Sequence, residues 1–270
     1  MSGPGHLEAA LAPGLLEAAL RSARAAGRKL LVPYITGGLG PDWLDVLRAV
    51  AHSGADAIEI GLPFSDPMMD GPVIQLASTR ALANGATPGG ILAGLAKADL
   101  DVPLAVMTYY NLIARAGESR MASELFSCGV VAAIVPDLPL EEMGAWAGAA
   151  DEAGVETVLL AAPTTGPERL ARICERSRGF LYAVGLMGVT GERSALAEAS
   201  LGIARRCKEA TDLPVLVGVG ISTPAQARQV CAVADGVVVG SAIVRRLLEG
   251  EGPDGAGRLV ADFRAFLDAA

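Results

Sequence analysis

Hydrophobic positions along the chain follow two patterns that take turns. The first is a short, nearly unbroken apolar run: "KLLVPYIT" (29–36), the start of "AIEIGLPFSDPMMDGP" (57–72), "PLAVMTYY" (103–110), "VVAAIVPD" (130–137), "ETVLLAAP" (156–163), "FLYAVG" (180–185), "PVLVGVG" (214–220) and "GVVVG" (236–240). Runs of this length and β-branched content predict strands buried on both faces, as in a parallel sheet. The second pattern has helical spacing, seen in Trp43, Val46, Leu47 and Val50. It predicts helices over 15–26, 42–53, 74–83, 88–98, 121–128, 141–153, 167–177, 200–210 and 224–233, with two more from 242 and 256. Several end at glycine, and the helix at 167 opens on proline, where the missing N–H costs nothing.

Eight strands, each followed by at least one helix, with no change of composition that would mark a linker, predict a closed (β/α)8 TIM barrel. An open doubly wound sheet is the alternative. The helix at 15–26 comes before the first strand and is additional to the eight units. Residues 1–270 form one expected domain, with 1–14 as a flexible tail.

Composition narrows the chemistry. Apolar residues are 51% and aromatics 4%, which suits layers of Ala, Val, Leu and Ile. The net charge of −8 leaves no basic stripe for nucleic acid. No uncharged apolar run reaches membrane-spanning length: the longest, 213–227, is broken by Pro214, Ser222, Thr223 and Pro224. The start of the chain lacks a basic-then-apolar block, so a cytoplasmic protein is expected. The four cysteines are widely spaced and read as buried free thiols. The two histidines, His6 and His52, lie in the tail and on a helix, so no His-based metal site or triad is expected.

The ends of the strands carry the candidate chemistry, because barrel enzymes build their sites there. Alternation sets Glu59 on the opposite face of its strand from Ile58 and Ile60. A carboxylate there is costly unless it is paired or needed, and a salt-bridged strand end is the plainer reading. The loop after it adds Asp66 and Asp70. Tyr34, Tyr109, Asp137 and Tyr182 fall at the ends of other strands. Gly218, Gly220, Ile221 and Ser222, with Gly240 and Ser241, place backbone amides at the last two strand–helix turns, a frequent phosphate position in barrels. The plainer reading makes them tight-turn glycines. None of the three lysines, Lys29, Lys97 and Lys208, sits at a strand top to form a Schiff base. Carboxylates and tyrosines remain, so proton transfer on a phosphorylated substrate that supplies its own electron sink is expected.

"IEIGLPFSDPMMDGP", followed in order by "MTYYN", "IVPDLPLEE", "GVTGERS", "GVGIS" and "VVGSAIV", resembles the tryptophan synthase α subunit family over most of the chain. The resemblance implies retro-aldol cleavage of indole-3-glycerol phosphate to indole and glyceraldehyde 3-phosphate, without a cofactor. It implies Glu59 as the acid–base group, Asp70 as the holder of the indole N–H, and Tyr182 beside Glu59. Tyr34, Tyr109 and Asp137 would line the pocket. Thr190 would bond Asp70 on loop closure, and Gly191, Gly220, Ile221, Gly240 and Ser241 would hold the phosphate. Pro63 and Asp66 would meet a pyridoxal-phosphate-dependent β subunit that receives the indole in an α2β2 assembly; an Asx-turn cap is the plainer reading of Asp66. A stand-alone lyase releasing indole, and a catalytically weak activator of a β subunit, are the alternatives. Met68 and Met69 depart from the Leu-Ala frequent in this loop, and Gly185, Leu186 and Met187 depart from a more polar segment.

Overall fold

The computed structural model describes residues 12–185, 193–218 and 220–269. The strands are β1 Leu30–Thr36, β2 Ile58–Gly61, β3 Leu104–Met107, β4 Val130–Ile134, β5 Glu156–Ala161, β6 Leu181–Ala183, β7 Val215–Val217 and β8 Gly236–Val239. All pair in parallel and in sequence order, and β8 pairs back onto β1, closing the barrel. The predicted TIM barrel is the observed fold.

The helices are α1 Leu15–Ala25, α2 Trp43–His52, α3 Pro72–Ala83, α4 Pro88–Leu95, α5 Tyr110–Ala116 and α6 Glu118–Ser127. They continue with α7 Gly144–Ala153, α8 Pro167–Arg176, α9 Arg193–Ala210, α10 Pro224–Cys231, α11 Ser241–Leu248 and α12 Gly252–Asp268. Local sequence starts them: Pro72, Pro88, Pro167 and Pro224 occupy first-turn positions. Thr223 and Gln226 close a reciprocal capping box on α10. Gly154 ends α7 in the left-handed conformation at φ 80°.

Period-two alternation divides the strands between two apolar layers. Leu31, Ile35, Ile58, Ile60, Val106, Leu181, Val215 and Val237 face the helices. Leu30, Val32, Tyr34, Ala57, Ala105, Ala132, Tyr182, Leu216 and Val238 fill the inside. Leu16 and Leu20 of α1 are fully buried in the inner layer, so the extra helix seals the bottom of the barrel. Burial of two leucines is worth about 1.5–3 kcal/mol each.

Two differences from the sequence reading have local causes. The third strand ends at Met107, and Tyr110 begins α5 where an uninterrupted strand was expected. The Asp137 carboxylate draws the chain out of the sheet there, accepting the Tyr110 N–H at 2.9 Å. The tail expectation largely lies outside the described residues, but Gly14 is not part of a tail. It caps α1, and a Cβ at this position would fall 2.6 Å from Cγ of Glu156.

Glu156 fixes that seal. Its buried carboxylate accepts the Leu16 N–H at 2.7 Å and the Glu17 N–H at 3.0 Å, satisfying two first-turn amides of α1. Burial pushes its pKa up, and the two amides oppose that shift. At the same end, Asp56 accepts the Leu31 N–H at 2.7 Å and pairs with Arg28 and with Arg264 of α12. Removing a partner from a buried hydrogen-bonded group costs about 1–3 kcal/mol. Glu156→Ala is therefore expected to lower the unfolding free energy by that amount in a urea titration. A stability within error of the unmodified chain would show that α1 is held by its leucines alone.

Candidate active site

Glu59 lies in the middle of β2, in register with Tyr34 of β1 and Ala105 of β3. Its neighbours Ile58 and Ile60 belong to the outer layer, so its side chain is directed into the barrel. It is 1% exposed, and neither carboxylate oxygen has a hydrogen-bond partner among the described residues. Among the described residues no salt bridge holds Glu59 at the strand end. Burial first, and the nearby Asp70 second, push its pKa up to about 8.

Asp70 sits on the loop between β2 and α3. Burial raises its pKa to about 6, against the lowering effect of the Tyr109 hydroxyl, which donates to Oδ2 at 3.2 Å. The two carboxyl groups feel each other across a low-dielectric space, yet their surroundings hold their pKa values apart. The pKa of Glu59 is pushed up to about 8 and that of Asp70 to about 6, the Tyr109 hydroxyl holding the second one lower. Such a split is the usual mark of an acid beside a charge stabiliser.

Tyrosines complete the wall. Tyr34 and Tyr182 are buried, and burial together with Asp70 and Glu59 drives both hydroxyls well above the usual range. Two glycines make room for them. A Cβ at Gly61 would fall on the Tyr34 hydroxyl, and one at Gly218 would fall on the Tyr182 ring. Gly218 therefore belongs to the tyrosine seat.

The late turns are narrower than the sequence suggested. The amides of Ser222 and Thr223 are taken by the Gln226 side chain at 2.8 and 3.1 Å, which removes Ser222 from the candidate anion donors. Gly220, in the left-handed conformation at φ 81°, and Ile221 remain after β7. Gly240 and Ser241 remain at the start of α11, where first-turn amides have no intrahelical acceptor. Thr190 and Gly191 lie outside the described residues.

Asp137 does not line the interior as expected: it is exposed, and its carboxylate is held by the Tyr110 N–H. Pro63 is buried within its own loop, whereas Asp66 is exposed and accepts from the Ser65 hydroxyl at 2.6 Å. Met68 is 86% exposed and Met69 53%, so the tip of this loop presents sulfur and methylene to solvent. A separate crevice of about 270 Å³ among Leu39, Trp43, Arg80, Asn84 and Leu247 contains neither Glu59 nor Asp70.

A closed barrel with a protonatable carboxyl buried on β2, a second carboxyl on the loop that follows it, and amide-rich turns after β7 and β8 defines a TIM-barrel enzyme equipped for general acid–base chemistry. The family model "Tryptophan synthase alpha chain" matches residues 20–265, and the chain belongs to that family. It is 44% identical to the tryptophan synthase alpha chain of Thermobifida fusca over 262 residues, covering 94% of this chain and 97% of that one. It is 46% identical to the Prochlorococcus marinus alpha chain over 230 residues, 83% of each. Among solved structures, tryptophan synthase from M. tuberculosis superposes with a TM-score of 0.85 at 35% identity, covering 94% of this chain and 98% of that chain. Tryptophan synthase subunit alpha from Legionella pneumophila gives 0.87 at 31%, covering 96% and 100%.

The glycine seat gives a direct test. Gly218→Ala is expected to displace the Tyr182 ring and to lower turnover at least about tenfold, since misplacement of about 1 Å near reacting atoms can cost far more. Unchanged steady-state kinetics and near-ultraviolet circular dichroism would show that Tyr182 can move without consequence.

Proposed function

We propose that this chain cleaves indole-3-glycerol phosphate into indole and glyceraldehyde 3-phosphate, acting as the α subunit of tryptophan synthase. The observation that carries the reading is Glu59: buried, without a hydrogen-bond partner among the described residues, and with its pKa pushed up to about 8 by burial and the nearby Asp70. Such a carboxyl is poor as a structural anchor and well suited to deliver a proton to carbon.

The reaction needs one proton to circulate. Glu59 gives its proton to C3 of the indole ring, which becomes cationic and accepts electrons. The Asp70 carboxylate holds the ring N–H and stabilises that charge. The Glu59 carboxylate then takes the proton of the hydroxyl on the carbon attached to C3. The C–C bond breaks, its electrons return to the ring, and the hydroxyl carbon becomes the aldehyde. Indole and glyceraldehyde 3-phosphate leave, and Glu59 is protonated again. No cofactor is used by this chain.

Tyr182 flanks Glu59 near the reacting carbons, and Tyr34 and Tyr109 line the ring pocket. The amides at Gly220, Ile221, Gly240 and Ser241 bind the phosphate with the α11 dipole, joined by Gly191, while Thr190 bonds Asp70 when the loop after β6 closes. Indole passes to a β subunit that holds the pyridoxal phosphate. Asp66 and the exposed Met68 and Met69 form the coupling surface on the loop after β2, with Pro63 setting its shape from within. The reading places the chain in the cytoplasm; no helix among the described residues is long and apolar enough to cross a membrane.

Glu59→Gln should cut turnover by at least ~10²-fold, the usual worth of a positioned acid–base group, with an unchanged far-ultraviolet spectrum. Near-normal turnover would remove Glu59 from the mechanism. The pH dependence has a fixed sign. Free enzyme is active with Asp70 charged and Glu59 protonated, so kcat/KM should rise through about pH 6 and fall through about pH 8. A profile still rising at pH 9 would show that Glu59 starts as a base. Co-elution with a β subunit and a rate increase on its addition test the partner; full activity without binding would favour a lyase acting alone.

A further inference from the structure

The Tyr109 side chain is tied into the loop after β2 at three points. Its hydroxyl accepts the Met69 N–H at 2.9 Å and donates to Asp70 Oδ2 at 3.2 Å. Its ring stacks on Phe64, with centroids 4.9 Å apart and planes 22° from parallel. Phe64 and Asp70 stand near opposite ends of that loop, so one residue at the top of β3 grips both. A pocket wall would need only the ring. The hydroxyl relay is surplus to that role, and it ends on the one carboxylate that must stay charged and aimed.

We infer that Tyr109 is a positioning residue: its hydroxyl fixes the Asp70 carboxylate toward the ring N–H and keeps it ionised. This rests on the reading of Asp70 given above. The need for such a residue follows from what faces Asp70. Glu59 on β2, Tyr34 on β1 and Tyr182 on β6 surround it with an acid and two phenols, and Asp66 lies four residues earlier in its own loop. Asp137, beyond β4, acts on Tyr109 itself. Among the described residues no Lys, Arg or His pairs with Asp70. Burial alone favours the neutral carboxylic acid, which would offer the ring no charge. The backbone anchor matters as much as the donor. With one lone pair engaged by the Met69 N–H, the phenol is left to direct its proton toward Asp70. At 3.2 Å the bond is longer than the usual O–H···O range, and it is the side-chain hydrogen bond that the Asp70 carboxylate accepts among the described residues.

Tyr109→Phe keeps the ring and its stacking on Phe64 and deletes only the relay. The Asp70 titration can be read without catalysis, from carboxyl ¹³C signals of ligand-free chain assigned by difference against Asp70→Asn. It should move up by about one pH unit in Tyr109→Phe, the size expected from losing a hydrogen bond to a charged group. The acid limb of kcat/KM for indole-3-glycerol phosphate cleavage should follow. The ionisation part of the loss in kcat/KM is about eightfold at pH 5.5 and nearly gone at pH 8, so the loss that persists at pH 8 reads the aim of the carboxylate, with the alkaline limb unmoved. An Asp70 titration that stays in place or falls overturns the proposal, whatever the activity. Asp70→Asn separates the two readings. If it turns over substrate normally, the role of Asp70 in catalysis is wrong, and the ¹³C titration still decides whether Tyr109 controls its charge.

Discussion

Everything at this site depends on one burial cost. A carboxyl group enclosed in a barrel of Ala, Val and Ile must be neutral, paired or displaced, because an isolated buried charge is too expensive. Glu59 is neither paired nor displaced. Burial raises its pKa to about 8, and an acid raised past neutrality is what carbon protonation needs. The fold achieves this with strand alternation alone: Ile58 and Ile60 pack outward against the helices, and Glu59 between them has nowhere to point but inward. Moving that strand by one residue would bury two isoleucines in the mouth and put the acid among the helices, so the apolar pattern and the chemistry enforce the same register.

The two ends of the barrel handle carboxylates in opposite ways. At the bottom, Glu156 and Asp56 are surrounded by donors: two α1 amides in one case, and the Leu31 amide with Arg28 and Arg264 in the other. These groups hold elements together. At the top, among the described residues, Glu59 has no donor and Asp70 has a single phenol that is itself tethered. Stability is concentrated where the carboxylates are satisfied, and reactivity where they are not. That division matches the general arrangement of barrel enzymes, in which the two ends carry separate tasks.

Much of this was legible in the sequence, and the gaps have physical causes. Continuous apolar runs fixed the strand count and order, and Glu59 stood out because a charge within "AIEIG" contradicts its surroundings. Asp137 is exposed and holds the Tyr110 N–H, and the sequence does not tell a residue at a strand end that faces the mouth from one that turns back to cap the following segment. The same bond hid α5, whose first residues continue the aromatic run of the preceding strand. Ser222 looked like an open amide until Gln226, four residues on, proved to occupy it. A T-P-x-Q pattern is a capping-box signature, so that signal was available in the sequence.

The tether on Asp70 had no such signature, since Tyr109 lies 39 residues away and its partners are a backbone amide and a loop carboxylate. Its consequence reaches the surface. Met69 gives its N–H to the relay while its side chain, with that of Met68, projects outward beside Asp66. The atoms that set the charge of Asp70 and the atoms that would meet a partner are therefore successive residues of one short loop. A partner that shifts the backbone at Met69 changes the bond that orients the Tyr109 hydroxyl, and through it the Asp70 carboxylate. Coupling between the two sites then needs no change in the barrel, only in the seven residues from Phe64 to Asp70. The flexible, polarizable methionines at this point can follow a partner's surface without disturbing Glu59, which stays fixed by the isoleucines on either side of it.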